Sequence, residues 1–259
     1  MNAKLQDLID FKMPTEEELR RSSAGWVKRV GPTLIDQWPK ELLALSAPTI
    51  FIEMPRNSVN LFEIKTFHDI ADVLAVEIDA KIGWDRKFFR LNSRSPKDAP
   101  WPFETLVSCS GKEIVSVLAS SERVLDDLCY FSHSDATPFL CLREFWPMVN
   151  FRNEYRCFIM DGKVLAVAEY MNRLESSFDT PTAESDITIR AAIDAYLTKK
   201  VIPRLHIKTV VVDIVAVDGL RLLEINPYGL SDPVGARSYE AIEQEIPSIA
   251  RLPRKDKPK

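Results

Sequence analysis

Glycine is scarce in this chain, which has only 8 glycines beside 17 prolines among its 259 residues. Neither a G-x-G-x-x-G sequence nor a G-x-x-x-x-G-K-[ST] sequence occurs. Both motifs depend on glycine, because its missing side chain lets backbone amides approach a phosphate closely. The shortage of glycine therefore argues against a Rossmann-type dinucleotide-binding fold and against a P-loop.

Other familiar patterns are missing too. The 4 cysteines show no C-x-x-C spacing, and with the 3 histidines they make no zinc-binding pattern. No apolar run approaches the roughly 18–20 residues of a membrane helix, and the N-terminus has no apolar stretch typical of a secretory signal. A net charge of −4 and a pI of about 5.6 disfavour a broad nucleic-acid-binding surface. We therefore expect a cytoplasmic protein with free thiols and no membrane partner.

The order of helical and β-rich segments predicts an α+β fold with largely antiparallel sheets. Two β-hairpins are predicted where Asp161-Gly162 and Asp218-Gly219 separate β-rich runs, since Asp-Gly is typical of tight hairpin turns. Residues 1–48 form a predicted helical lead-in, opened by a capping box at Thr15 and Glu18. Residues 251–259 form a basic tail that we expect to be disordered.

The second hairpin carries the most informative residues. If Asp218-Gly219 is a two-residue loop, Asp213 lies directly opposite Glu224, and Asn226 shares their face. Their neighbours are apolar, so two opposed carboxylates would repel and lose hydration. A divalent cation would compensate, and the amide oxygen of Asn226 would complete an all-oxygen set suited to Mg²⁺. The alternative is that the carboxylates lie at a rim and pair with Arg or Lys; a one-residue slip would separate them.

Magnesium sites in proteins are often completed by phosphate oxygens, so cationic side chains on the apolar strands are of interest. The candidates are Arg90, Arg94, Lys97, Arg143 and Arg156. In the first hairpin, the same register calculation places Glu154 opposite Glu169, with Arg156 diagonal to both. A structural ion cluster and a phosphate site explain that pattern equally well.

Four sequence blocks resemble the cell division cycle protein 123 family, a branch of the ATP-grasp superfamily. They are FFRLNSRSPKDAPW, SCSGKEIVSVLASSERVLDDL, FLCLREFWPMVNFRNEYRCFIMDGKVLAVAEY and VVDIVAVDGLRLLEINPYGLSD, and they cover roughly residues 86–245. The resemblance implies an α+β ATP-grasp fold in which two lobes with antiparallel sheets grip ATP and Mg²⁺. The domain would span residues 49–250, with a smaller lobe at about 86–141 and a larger lobe at about 142–250.

The resemblance also implies roles for individual residues. Asp213, Glu224 and Asn226 would coordinate Mg²⁺ at the phosphates of ATP. Lys97, in the Ser-Pro-Lys-Asp loop, and Arg156, in Glu-Tyr-Arg-Cys-Phe, would contact the phosphates and serve any catalysis.

Further implied contacts lie at the other end of the nucleotide. Arg143, Glu144 and Phe145 would form an interlobe hinge bordering the adenine, and Arg90 holds the place of a family lysine. Arginine keeps that charge but presents a planar fork in place of a point donor. A second departure is the stretch 168–171, where the family typically has Gln-Arg-Asp.

Two classes of function follow from the resemblance, and the sequence leaves open whether the protein is an enzyme. An ATP-grasp ligase would phosphorylate a small carboxylate substrate with ATP and needs no side-chain nucleophile. A related version would act on nucleic-acid ends, which the acidic pI disfavours. Alternatively, the protein is a non-catalytic assembly chaperone, as eukaryotic members of the family bind the gamma subunit of translation initiation factor 2.

Overall fold

The computed structural model of the chain describes residues 14–54, 64–83, 85–99, 106–146, 153–169, 183–231, 233 and 238–244. The helices are α1 (Glu16–Val30), α2 (Lys40–Leu43), α3 (Ile64–Ile82), α4 (Gly111–Ala119), α5 (Glu122–Ser132), α6 (Ala183–Tyr196) and α7 (Tyr239–Gln244). The strands are β1 (Thr49–Glu53), β2 (Lys87–Leu91), β3 (Val107–Ser108), β4 (Phe139–Glu144), β5 (Glu154–Met160), β6 (Lys163–Glu169), β7 (Val210–Ala216) and β8 (Leu220–Pro227). The predicted disordered tail at 251–259 lies outside the described residues, as do residues 170–171 of the departure noted above.

Two antiparallel sheets organise the described part of the chain. Their strand orders are β1-β4-β2-β3 and β6-β5-β7-β8. The predicted fold class, α+β with antiparallel sheets, is therefore confirmed. Residue contacts divide the chain into a first unit, Met1–Trp38 with Ala47–Phe145, and a second unit, Pro39–Ser46 with Trp146–Lys259.

In the first unit, one face of the sheet carries five fully buried apolar side chains. They are Ile52, Phe89, Leu91, Leu140 and Leu142. The predicted Thr15–Glu18 capping box begins α1. Trp26 of α1 stacks on Tyr130 of α5 and meets Phe131 edge-on, with centroids 5.3 and 5.0 Å apart. The helices thus close an aromatic and aliphatic core over the sheet.

Helix α4 begins in close contact with α3. A Cβ atom at Gly111 would lie 2.1 Å from the carbonyl oxygen of Ala75, so a larger residue does not fit there. The amide of Gly111 donates to Asp79 Oδ1 at 2.6 Å. This glycine therefore allows α4 to pack closely against α3.

The second unit has a sheet with buried apolar side chains on both faces. On one face, Phe158 and Val211 pack with Ile242 of α7. On the other face lie the fully buried residues Cys157, Ile159, Val210, Val212 and Ile214. Polar side chains inside such a sheet need partners, because burial removes their water.

The second hairpin differs from prediction at its turn and agrees with it at the site. Ala216 pairs with Leu220, so the loop has three residues and the predicted two-residue loop is wrong. A bulge then leaves Leu223 as an extra residue, because Ile214 pairs with Leu222 and Asp213 pairs with Glu224. The two one-residue shifts cancel, and the predicted pairing of Asp213 with Glu224 is confirmed.

The first hairpin shows the opposite outcome. Its predicted two-residue turn is present, since Met160 pairs with Lys163. A register shift within β6 follows the turn, and Glu169 pairs with Tyr155. The predicted pairing of Glu154 with Glu169 is therefore wrong. A bulge of one residue moves every later side chain to the opposite face, and turn chemistry alone does not reveal it.

Candidate functional site

A row of polar side chains crosses the second sheet on one face. Arg156 of β5 lies directly opposite Asp213 of β7, which in turn lies opposite Glu224 of β8. Asn226 lies two residues beyond Glu224, and the alternation of side chains puts it on the same face. The structure thus brings together four of the residues selected from the sequence: Arg156, Asp213, Glu224 and Asn226.

Arg156 and Asp213 form a buried bidentate ion pair. Arg156 Nε donates to Asp213 Oδ1 at 2.8 Å, and Arg156 Nη2 donates to Asp213 Oδ2 at 2.8 Å. Their side chains are 5% and 0% exposed. Parallel charge-assisted bonds of this kind fix both planes, and the mutual attraction offsets part of the cost of dehydrating two charges.

Asn226 adds a third group to this pair. Its Nδ2 donates to Asp213 Oδ2 at 3.0 Å. The amide plane of Asn226 therefore turns its nitrogen toward Asp213, and its oxygen stays separate from that bond. Asp213 is held from two strands at once, so its carboxylate has one orientation.

The sequence left two explanations for the opposed carboxylates: a bound cation, or pairing with an arginine or lysine. The geometry bears on this choice. Arg156 partners Asp213, so a protein group compensates this carboxylate, as the arginine alternative expects. The other carboxylate, Glu224, lies directly across the strand pair. Two carboxylates and an amide oxygen remain a donor set that fits a hard cation such as Mg²⁺. Among the described residues no cluster of three or more His, Cys, Asp or Glu side chains occurs, so such an ion would need ligands from water or phosphate.

An aromatic cluster borders this row of polar residues. Tyr228 and Tyr239 have ring centroids 4.8 Å apart, and Tyr239 meets Phe158 at 5.8 Å. The Tyr239 hydroxyl donates to the carbonyl of Ser231 at 2.9 Å. Burial raises the pKa of Tyr239 above its ordinary value, so the phenol stays neutral. Sequence reasoning missed these tyrosines, although Tyr228 follows Asn226 at the two-residue spacing of one strand face.

The first unit holds the other selected cations. Arg90 is 3% exposed and Arg143 is 2% exposed. Arg90 pairs with Cys141, two residues before Arg143 on β4, so the two arginines occupy the same sheet face. Arg90 Nε donates to the carbonyl of Leu91 at 3.0 Å, and Nη2 donates to that of Ser93 at 3.2 Å. These bonds let Arg90 fix the start of the loop that follows β2.

That loop is braced at both ends by acidic residues. Arg94 binds the fully buried Asp127 of α5, with Nε to Oδ2 at 2.8 Å and Nη2 to Oδ1 at 2.7 Å. Asp98 accepts bonds from the Ser121 hydroxyl and from the Arg123 amide, the latter at 2.9 Å. Lys97 lies exposed between the two braces. Sequence reasoning placed Arg94 near a phosphate and missed its partner, because Asp127 is 33 residues away.

The remaining selected residues end β4. The amide of Glu144 donates to the carbonyl of Pro48 at 2.9 Å, and the Glu144 side chain is exposed. Phe145 is half-buried and is the last residue of the first unit. The selected residues therefore fall into two groups: Arg90, Lys97, Arg143, Glu144 and Phe145 lie in the first unit, and Arg156, Asp213, Glu224 and Asn226 lie in the second.

The described part of the chain is thus an α+β protein in which helices pack on antiparallel sheets. One sheet face carries a buried row of arginine, carboxylate and amide side chains. A D123 family profile matches residues 53–248. The chain therefore belongs to the D123 family, to which the Cdc123 proteins belong. No helix in the described part is long and apolar enough to cross a bilayer.

Individual relatives support this family assignment. The chain is 30% identical over 164 residues to cell division cycle protein 123 of Candida glabrata, covering 56% of this chain and 44% of the relative. It is 28% identical over 123 residues to a translation initiation factor eIF2 assembly protein of Dictyostelium discoideum, covering 44% of this chain and 31% of the relative. The chain thus spans less than half the length of these curated relatives.

A solved structure shows the same fold. Cdc123 from Schizosaccharomyces pombe superposes with a TM-score of 0.65 at 20% identity, covering 84% of this chain and 92% of that chain. At this identity the likeness shows the fold, and the roles of single residues are a separate question.

Proposed function

We propose that this protein binds ATP with Mg²⁺ and uses the bound nucleotide to assist the assembly of a translation factor. The observation that carries the nucleotide proposal is the row Arg156–Asp213–Glu224, which crosses one face of the second sheet. Two carboxylates directly opposite each other repel, and a bound divalent cation would relieve this repulsion, which supports ligand binding over packing alone as the reason for the row.

The roles of the second-unit residues follow from their chemistry. Glu224 and Asp213 would supply carboxylate oxygens to Mg²⁺, and Asn226 its amide oxygen. Bound Mg²⁺ would neutralise charge on the phosphates of ATP. Arg156 would hold Asp213 in position and bring its positive charge to the phosphates, since a guanidinium has five donors in a fixed fork. Arginine suits such a double role because its donors point in fixed directions.

The family resemblance also implies contacts with ATP for residues of the first unit. Lys97 is exposed on a loop held by Arg90, Arg94 and Asp98, so its ammonium group is carried on an ordered backbone. We assign Lys97 and Arg90 to the phosphates, and Arg143, Glu144 and Phe145 to a hinge beside the adenine.

The assembly role rests on the relatives. Curated relatives are named translation initiation factor eIF2 assembly proteins. By analogy we propose a protein partner resembling the gamma subunit of that factor, and a cytoplasmic location. An ATP-dependent ligase acting on a small carboxylate is the second candidate, since no side-chain nucleophile is needed for that chemistry.

Thermal unfolding with nucleotide tests the binding proposal. ATP with Mg²⁺ should raise the stability by about 2.7 kcal/mol at a ligand concentration a hundred times the Kd, and EDTA should remove most of this gain. ADP or AMP release, measured with and without small-molecule extract, separates the two functions. Turnover that depends on a metabolite would favour the ligase. Saturable binding without turnover, together with capture of purified initiation factor 2 gamma subunit, would favour assembly.

A further inference from the structure

Basic side chains gather at one end of the second sheet. We call this group the basic end; its members are Lys163, Lys199, Lys200, Arg204 and Lys208. The four lysines are exposed and Arg204 is half-buried. None of the five forms an ion pair with a carboxylate in the part of the chain that the structure describes.

The fold brings these residues together from two stretches of chain. The amide of Gly162, in the turn before Lys163, donates to the carbonyl of Lys208 at 2.8 Å. Arg204 Nη1 donates to the carbonyl of Lys200 at 2.6 Å. A Cβ atom at Gly162 would lie 3.8 Å from Ile202 Cγ2. The β5–β6 turn and residues 199–208 therefore form one continuous surface.

The charge of this surface is opposite to that of the chain. Residues 199–208 read KKVIPRLHIK and contain no acidic residue, whereas the whole chain carries −4. Asp161, in the same turn as Gly162, offsets one of the five positive charges. Clustered like charges repel one another, so such a cluster costs stability unless an anionic partner binds it.

The basic end is separate from the candidate nucleotide site. Met160, the last residue of β5, is four residues beyond Arg156, which corresponds to about 13 Å at the usual rise of an antiparallel strand. Lys163, the lysine that follows the turn, pairs with Met160 at this end of the sheet. A ligand of the basic end can therefore bind without displacing the Arg156–Asp213 pair.

We propose that the basic end docks an acidic peptide segment of a protein partner. The choice of a protein rests on the proposed assembly function. Residues 197–209 contain no Phe, Tyr or Trp on which bases could stack, which disfavours single-stranded RNA. Four of the five charges are lysines, whose flexible stems suit the scattered carboxylates of a peptide better than paired phosphate oxygens.

Fluorescence anisotropy with defined probes tests this proposal. The probes are a labelled ten-residue Glu/Asp peptide and a labelled oligo-uridine of equal length, and the protein is the full chain. The variant Lys199→Glu/Lys200→Glu reverses two charges of the basic end. The matched control Lys28→Glu/Arg29→Glu reverses two exposed charges in the last turn of α1. Circular dichroism and thermal melting establish that both variants fold.

The expected result is saturable peptide binding that the Lys199→Glu/Lys200→Glu variant weakens by about tenfold or more, with the control unchanged. Binding should also weaken with added salt, because exposed charges are screened. Equal peptide affinity in wild type and both variants would overturn the proposal. Preferential binding of the oligo-uridine would overturn it as well, by making nucleic acid the occupant.

Nucleotide binding separates this inference from the function on which it rests. The Lys199→Glu/Lys200→Glu variant should keep the full Mg²⁺–ATP stabilisation of wild type. If that stabilisation is present and peptide binding is absent, only the docking surface fails. If wild type shows no Mg²⁺–ATP stabilisation, the proposed function itself fails, whatever the peptide result.

Discussion

Arg156 grips both carboxylate oxygens of Asp213 across neighbouring strands, with N–O distances of 2.8 Å on each side. The pair is buried, and Asn226 adds a third bond to the same carboxylate. The orientation of Asp213 is therefore fixed by the sheet itself before any ligand binds. Glu224 lies directly opposite Asp213 on the neighbouring strand and is not a member of this ion pair.

Removing the charge of Asp213 should lower the free energy of unfolding. Asp213→Asn leaves the Arg156 guanidinium buried without its counter-charge, and breaking such a pair costs about 3–5 kcal/mol. Urea unfolding followed by tryptophan fluorescence measures the loss. Asp218→Asn is the control, since it makes the same chemical change at the exposed turn of the same hairpin. A loss below 1 kcal/mol for Asp213→Asn would show that the ion pair contributes little.

Close helix packing at Gly111 gives a second prediction. Gly111→Ala should destabilise the protein by about 1–3 kcal/mol, because its Cβ would overlap the carbonyl of Ala75. Gly25→Ala, within α1, has nothing within 4 Å of the added Cβ and should stabilise by up to about 1 kcal/mol. Thermal melting of both variants shows whether Gly111→Ala lowers the stability and Gly25→Ala raises it. Equal effects from the two substitutions would contradict the close contact between α3 and α4.

The loop that carries Lys97 should loosen in acid. Burial raises the pKa of Asp98, but bonds from Ser121 and from the Arg123 amide outweigh it and hold the pKa below its ordinary value. A carboxylate with a depressed pKa stabilises the fold above its unfolded pKa and loses this effect as pH falls through the folded value.

Asp98→Ala should therefore cost about 0.5–1 kcal/mol at pH 7, as expected for a partly exposed helix-capping carboxylate. The difference in unfolding free energy between Asp98→Ala and wild type should shrink as the pH falls from about 4 to about 2. Urea unfolding across that range measures this difference. Asp126→Ala, on the exposed side of α5, makes the same substitution and serves as the control. A difference that stays constant with pH would rule out Asp98 as the ionised brace.

The sequence predicted the class of fold and the main elements because hydrophobic periodicity and turn residues are local signals. It also predicted the pairing of Asp213 with Glu224, although by a two-residue turn that does not exist. The bulge at Leu223 restores the register, and a bulge depends on packing that spans several strands.

Long-range partners were the part that sequence reasoning could not supply. Arg94 was selected as a cation near phosphate, and its partner Asp127 lies on α5. Arg156 was placed diagonal to two glutamates, and its partner is Asp213, 57 residues along the chain. Pairing a buried charge requires knowing which strands are neighbours, and that order, β6-β5-β7-β8, is a property of the whole second sheet.

The ion pair also changes which substitution tests the metal proposal. From the sequence alone, replacing either carboxylate would be expected to remove Mg²⁺-dependent nucleotide binding without unfolding the chain. The buried pair makes Asp213 a poor choice, because its loss damages the fold. Glu224→Gln keeps the shape of the side chain and removes one anionic ligand, so it separates binding from stability.

Calorimetric titration of ATP into wild type and Glu224→Gln, each with Mg²⁺ and with EDTA, is the most direct test of the account. We expect Mg²⁺ to strengthen ATP binding to wild type. With Mg²⁺, Glu224→Gln should bind ATP at least about tenfold more weakly than wild type, with a nearly unchanged melting temperature. Glu53→Gln, an exposed strand carboxylate in the first unit, should behave as wild type. Full Mg²⁺-dependent affinity in Glu224→Gln would contradict the assignment of this carboxylate to the metal.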